Sequence, residues 1–149
     1  MPLISLDLTQ RPPRSPRVRL GGFTVLPRVL DKCRATIAGK AGEYSFNCPL
    51  DQMFFEFAGV DAEAFKAEAA KGTGDGDMLA WVMAKSSTKP NAPAIEAWSN
   101  YMNGRAPAFP EYRAYFNEIH TKAGPKRDDI VTWGDLLDLD DHVSFGGQA

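Results

Sequence analysis

The chain has 149 residues, 44% of them hydrophobic and 24% charged, with a formal net charge of −2 and two cysteines. That length holds one domain with a core of its own, and this composition excludes a disordered chain. No apolar run approaches the roughly 20 residues of a membrane span, the N-terminus lacks the basic-then-apolar order of a secretory signal, and two cysteines are too few for a disulfide framework.

In chain order, residues 1–23 read as an extended arm. Pro12, Pro13 and Pro16 remove backbone donors, and Gly21-Gly22 closes the stretch. A first helix is expected from about Pro27 to Ala38, with Leu26, Val29/Leu30, Cys33 and Ile37 as its apolar stripe and Gly39 as its stop. Gly42 to Phe46 reads as an extended connector or a very short strand. The second helix is the clearest: Asn47 as cap, Pro49 in the first turn, then Leu50, Met53, Phe54 and Phe57 at helical spacing before Gly59. A third helix is capped by Asp61. After the loop Gly72 to Gly76 a fourth is expected to start at Asp77. A fifth carries Ile95, Trp98 and Met102, a sixth carries Tyr112, Tyr115/Phe116 and Ile119, and a last opens at Thr132. The glycine-rich tail from Val143 is left irregular. The fold class is therefore mainly α: a single compact domain over 1–149, about seven short helices, irregular connectors and a Pro/Arg-rich N-terminal arm that packs on it.

Charge is unevenly spread. Residues 1–40 hold eight bases and two acids, a net +6, while the remainder holds nine bases and seventeen acids, a net −8. The arginines of the arm are separated by prolines and apolar residues and form no block, so an arm lying across its own acidic domain is the favoured reading. Nucleic-acid binding through Arg11, Arg14, Arg17 and Arg19 is the weaker one, because the aromatics fall in the other half and the pI is about 5.7.

Asp7-Leu8-Thr9, Arg11-Pro12-Pro13-Arg14-Ser15-Pro16 and Leu20-Gly21-Gly22 resemble a bacterial family, domain of unknown function 5069. So do Leu26-Pro27-Arg28, Asn47-Cys48-Pro49-Leu50-Asp51 and Leu137-Asp138-Leu139-Asp140-Asp141. The resemblance covers nearly the whole chain and implies a stand-alone bacterial protein of about this length. It carries over no functional residue.

Cys48 is the residue with the most chemistry. It falls at a helix start, where unpaired N–H groups and the helix dipole favour a thiolate, and His120 is a candidate base for it. Cys33 lies on an apolar stripe and reads as core. Gly72 to Gly76 fails as a phosphate loop, since Asp75 and Asp77 put negative charge where the phosphate would sit. It fails as a calcium loop because Leu79 occupies a ligand position. The acids Asp135, Asp138, Asp140 and Asp141 with His142 read as salt-bridge partners for the arm and not as a metal site. Trp81, Trp98, Tyr101, Tyr112, Tyr115, Phe116 and Trp133 crowd the second half. Trp98 and Tyr101 cannot both point inward, which leaves room for an aromatic pocket or partner surface.

These residues lead to a first expectation, a small-molecule-binding domain or small enzyme. Its site is the start of the second helix, lined by Glu43, Tyr44, Asn47, Cys48 and Asp51, with Arg28 or Arg34 to neutralise an anionic ligand. No metal, cofactor or membrane partner is implied, and the cytoplasm is the expected compartment. The alternative is a protein-interaction module that uses the basic arm or the acidic C-terminal segment.

Overall fold

The computed structural model describes residues 1–149. The prolines keep the first sixteen residues free of helix and strand, yet the arm is tied down: Leu8 is 1% exposed and its N–H donates to the Lys40 carbonyl at 2.9 Å. A hairpin follows, β1 (Arg19–Leu20) antiparallel to β2 (Phe23–Thr24), with Arg19 opposite Thr24. Gly21 and Gly22 make its turn at φ 58° and 85°, the pair of positive values that a tight two-residue hairpin needs. Sequence reading gives only an extended stretch closed by these glycines, so the strand pairing is an addition.

The chain enters α1 (Leu26–Ile37) through Val25 at φ 74°, a conformation that costs a β-branched residue about 1–3 kcal/mol. The Val25 N–H is held by the Pro16 carbonyl at 3.0 Å, and the side chain is buried. Leu26, Val29, Leu30 and Cys33 of α1 are buried as their spacing predicts. So are Arg28, Asp31 and Lys32 on its other side. The helix is thus enclosed nearly all round, by rings on one face and by charges on the other.

The segment Gly42–Phe46 is turn and irregular chain, not strand. Gly42, at φ 57°, lies so close to the Leu8 carbonyl that a Cβ would clash with it, which presses the connector against the arm. Then come α2 (Pro49–Ala58), α3 (Ala62–Ala69), α4 (Asp75–Lys85), α5 (Ala92–Gly104), α6 (Pro110–Ala123) and α7 (Trp133–Ser144). Three boundaries differ from the sequence reading. Cys48, not Asn47, is the N-cap residue of α2, because Asn47 takes the left-handed conformation at φ 62°. Helix α4 starts two residues early, with Gly74 as its N-cap residue and Asp75 held by arginines. Helix α7 runs through Val143 and Ser144, and a Thr132–Asp135 capping box opens it.

Two apolar clusters result. The larger joins β2 and α1–α5 around Phe23, Leu30, Phe54, Phe65, Met78 and Val82, each such side chain contributing about 1.5–3 kcal/mol by burial. Phe57 and Trp98, half-buried, stack on each other against it at 4.7 Å. The smaller is Phe116, Ile130, Leu136 and Leu139, between α6 and α7. No helix is long and apolar enough to cross a membrane.

Candidate functional site

Arg28 and Lys32 stand one turn apart on the charged side of α1, and each finds a buried carboxylate from a distant element. Lys32 Nζ donates to Asp51 Oδ1 in α2 at 2.8 Å, with side-chain exposures of 4% and 0%. Asp51 Oδ2 accepts the Asn47 N–H at 2.9 Å, so both carboxylate oxygens are satisfied. The same ammonium donates to Cys48 Sγ at 3.3 Å. Two of its three N–H donors are then used, and the third has no protein acceptor. Cys48 is half-buried and heads α2, so its sulfur lies between a buried cation and a helix N-terminus.

One turn back, Arg28 pairs with Asp141 of α7 at 2.8 Å, also buried, and its guanidinium lies 5.5 Å from the ring centre of Tyr44. The Tyr44 hydroxyl donates to Asp141 Oδ1 at 2.6 Å. Burial, and then that hydrogen bond, push the phenol's pKa upward and keep it a donor. Burial and the neighbouring Asp141 charge also raise Asp140 above the ordinary carboxylate range. The connector before α2 is therefore pinned at two points, Tyr44 on Asp141 and Cys48 on Lys32.

Arg28, Tyr44, Asn47, Cys48 and Asp51 lie along this charged face of α1, while three other candidates do not join them. His120 Nε2 lies 2.8 Å from the Arg127 carbonyl, and its ring packs against Phe116 in the smaller cluster. The polar neighbour of Cys48 is Lys32, whereas His120 sits between α6 and the loop after it. Arg34 pairs with Asp75 and donates to the Thr73 carbonyl. Glu43 is exposed and unpaired. Since Arg28 and Arg34 each already face a carboxylate, neither brings an uncompensated charge to the connector. Sequence reasoning missed Lys32 and Asp141 as site residues. For Lys32 there was a signal: with Arg28 and Asp31 it makes a second, charged stripe on a helix whose apolar stripe was already assigned.

The arm is strapped down by its arginines. Arg14 holds Asp31 through its backbone N–H, Nε and Nη2, and Asp75 through Nη1 at 2.7 Å. The Arg14 contact, despite burial and with help from Arg34, holds Asp75 below the ordinary carboxylate range. Arg17 pairs with Asp135 and, at 3.4 Å, with Asp138. Burial favours the neutral form of Asp135, but the Thr132 N–H, Arg17 and the Val131 N–H outweigh it and set its pKa at about 2. Arg19 donates to Asn100, and Arg11 is exposed. No group of three or more His, Cys, Asp or Glu side chains converges to hold a metal ion. A polar groove of about 320 Å³ lies over α7, lined by Arg17, Arg127, Asp129, Asp135, Asp138 and His142. A void of about 20 Å³ separates Val25, Leu50, Met102 and Trp133. Neither includes Cys48.

A small, mainly helical domain with a strapped arm and a buried charged seam along α1 is the class these features define. The chain belongs to the family described as domain of unknown function DUF5069, whose model matches residues 10–143. No curated protein matches it in sequence.

Proposed function

We propose that the protein is a small-molecule-binding domain that works in the reducing cytoplasm, with the start of α2 as its site. Cys48 meets the ligand there, and Lys32, itself paired with Asp51, holds the sulfur in place from beneath. The observation that carries this reading is the 3.3 Å contact between Lys32 Nζ and Cys48 Sγ at a helix N-terminus. The Lys32 ammonium fixes the half-buried Cys48 sulfur at the head of α2, where a small ligand can reach the thiol. Asn47 and Tyr44 flank the approach, while Asp51 fixes Lys32. Arg28 acts at one remove, by holding Tyr44 and Asp141 in place.

Glutathione disulfide, a small anionic probe, tests the reading. The Cys48 thiolate would attack one sulfur of the probe, form a mixed disulfide and release glutathione as the leaving thiolate. Intact-mass spectrometry with peptide mapping should find one adduct per chain, on Cys48, and none on Cys33. Burial raises the pKa of Cys33 to about 12, so it serves as an internal control. No adduct, or equal labelling of both cysteines in the folded protein, would contradict it.

A further inference from the structure

Helix α6 is the least covered of the fold. Of its fourteen residues only Phe116 is buried, against Trp133 at a centroid distance of 5.3 Å. Phe109, Tyr112 and Tyr115 stand 58%, 53% and 59% exposed at three-residue spacing, and Phe109 and Tyr112 already pack edge to face at 5.8 Å. Together they leave roughly 300 Å² of aromatic surface in water. That is about half of the roughly 600 Å² per partner that the smaller stable interfaces bury, and interfaces are a little over half apolar.

A charged stripe that runs through Tyr115 and borders Tyr112 says what covers this face. Glu111, Tyr115, Glu118 and Lys122 follow one another at i, i+4, i+7 and i+11, a single stripe of the helix, and all four are exposed. Acid stands in the first turn and base in the last, as the helix dipole favours. Such a stripe complements itself when reversed. A parallel copy would set Glu111 against Glu111 and Glu118 against Glu118.

We propose that a second copy of this chain covers the face, with α6 pairing antiparallel to its counterpart across a two-fold axis near residues 116 and 117. Glu111 then meets the partner's Lys122 at both ends, about 16 Å apart along each helix. At the centre the Tyr115 hydroxyl donates to the partner's Glu118, which Lys122 of its own chain already holds at 3.2 Å. Tyr112, a quarter-turn from the stripe and backed by Phe109, closes the apolar side. The contact is isologous, so one patch supplies both halves.

Sedimentation velocity on the full chain over a wide concentration range reads this directly. The expected result is a concentration-dependent rise from the 16.3 kDa chain mass to twice that value, abolished by Tyr112→Ser with Tyr115→Ser at unchanged helix content. Glu111→Lys and Lys122→Glu should each weaken association about fivefold, and the two together should restore it. A wild-type chain that sediments at monomer mass at every concentration overturns the proposal. So does a dimer indifferent to the tyrosine pair, or a double charge reversal no tighter than the single ones.

Discussion

Around α1 the chain buries charges as well as rings, whereas between α6 and α7 it buries four apolar side chains and leaves three large aromatics in water. The first region is held from every side. The arm, α2, α4 and α7 all send a side chain to α1, and the ion pairs Lys32–Asp51 and Arg28–Asp141 are closed off from solvent. The second has one layer and an open face. The contrast separates two kinds of surface: an enclosed polar seam that fixes its side chains in place, and an open aromatic face that stays accessible. Buried charges are costly to carry and costlier to orphan, so each member of the seam depends on its partner.

The largest expected effect lies in the seam. Asp51→Ala strands Lys32 in a dry site and should cost about 3–5 kcal/mol in denaturant unfolding, whereas Lys32→Met with Asp51→Leu should recover most of that loss. If Asp51→Ala is as mild as a surface substitution, Lys32 and Asp51 are not the closed pair described above. Next come the two cores. Phe54→Ala opens the larger cluster and should cost about 3–5 kcal/mol. Phe116→Ala, in a cluster of four with solvent nearby, should cost about 2 kcal/mol. Equal losses would erase the distinction between the regions. Hydrogen exchange sharpens it further: the amides of α6 should open well before those of α1.

Smaller is the acid response of the arm. The folded-state pKa of Asp135 is depressed to about 2 by Thr132, Arg17 and Val131 against the opposing effect of burial. Its contribution is therefore full above the unfolded value near 3.8 and is lost as pH falls toward 2. After allowance for solvent screening it is about 1 kcal/mol. Asp135→Asn should flatten the stability profile in that window. Asp140, raised by burial and by Asp141, has the opposite sign, so Asp140→Asn should raise the melting temperature slightly at neutral pH.

Local chemistry was legible in the sequence, and distant pairing was not. The Asp61 cap, the proline in the first turn of α2 and the Thr132 start of α7 rest on contacts within a few residues. Cys48 was singled out because a helix start is itself a local feature. The partner of Arg28 lies 113 residues away, and no spacing rule reaches that far. Asn47 misled for a physical reason: asparagine serves both as a helix cap and as a left-handed residue before one, and here the second use wins. The aromatic half of the chain was read as having more rings than its helices could turn inward. Trp98 does pack against the core with Phe57, while Tyr101 stays 62% exposed.

The most direct test of the thiol site compares two proteins with the same fold. The rate at which an aromatic disulfide reagent modifies Cys48 is measured at neutral pH in the wild type and in the Lys32→Met, Asp51→Leu variant. That variant loses the buried cation without leaving an orphaned charge. A drop of about tenfold, with Cys33 silent in both, is the predicted result. Equal rates in the two proteins would show that Lys32 does nothing for the sulfur beside it.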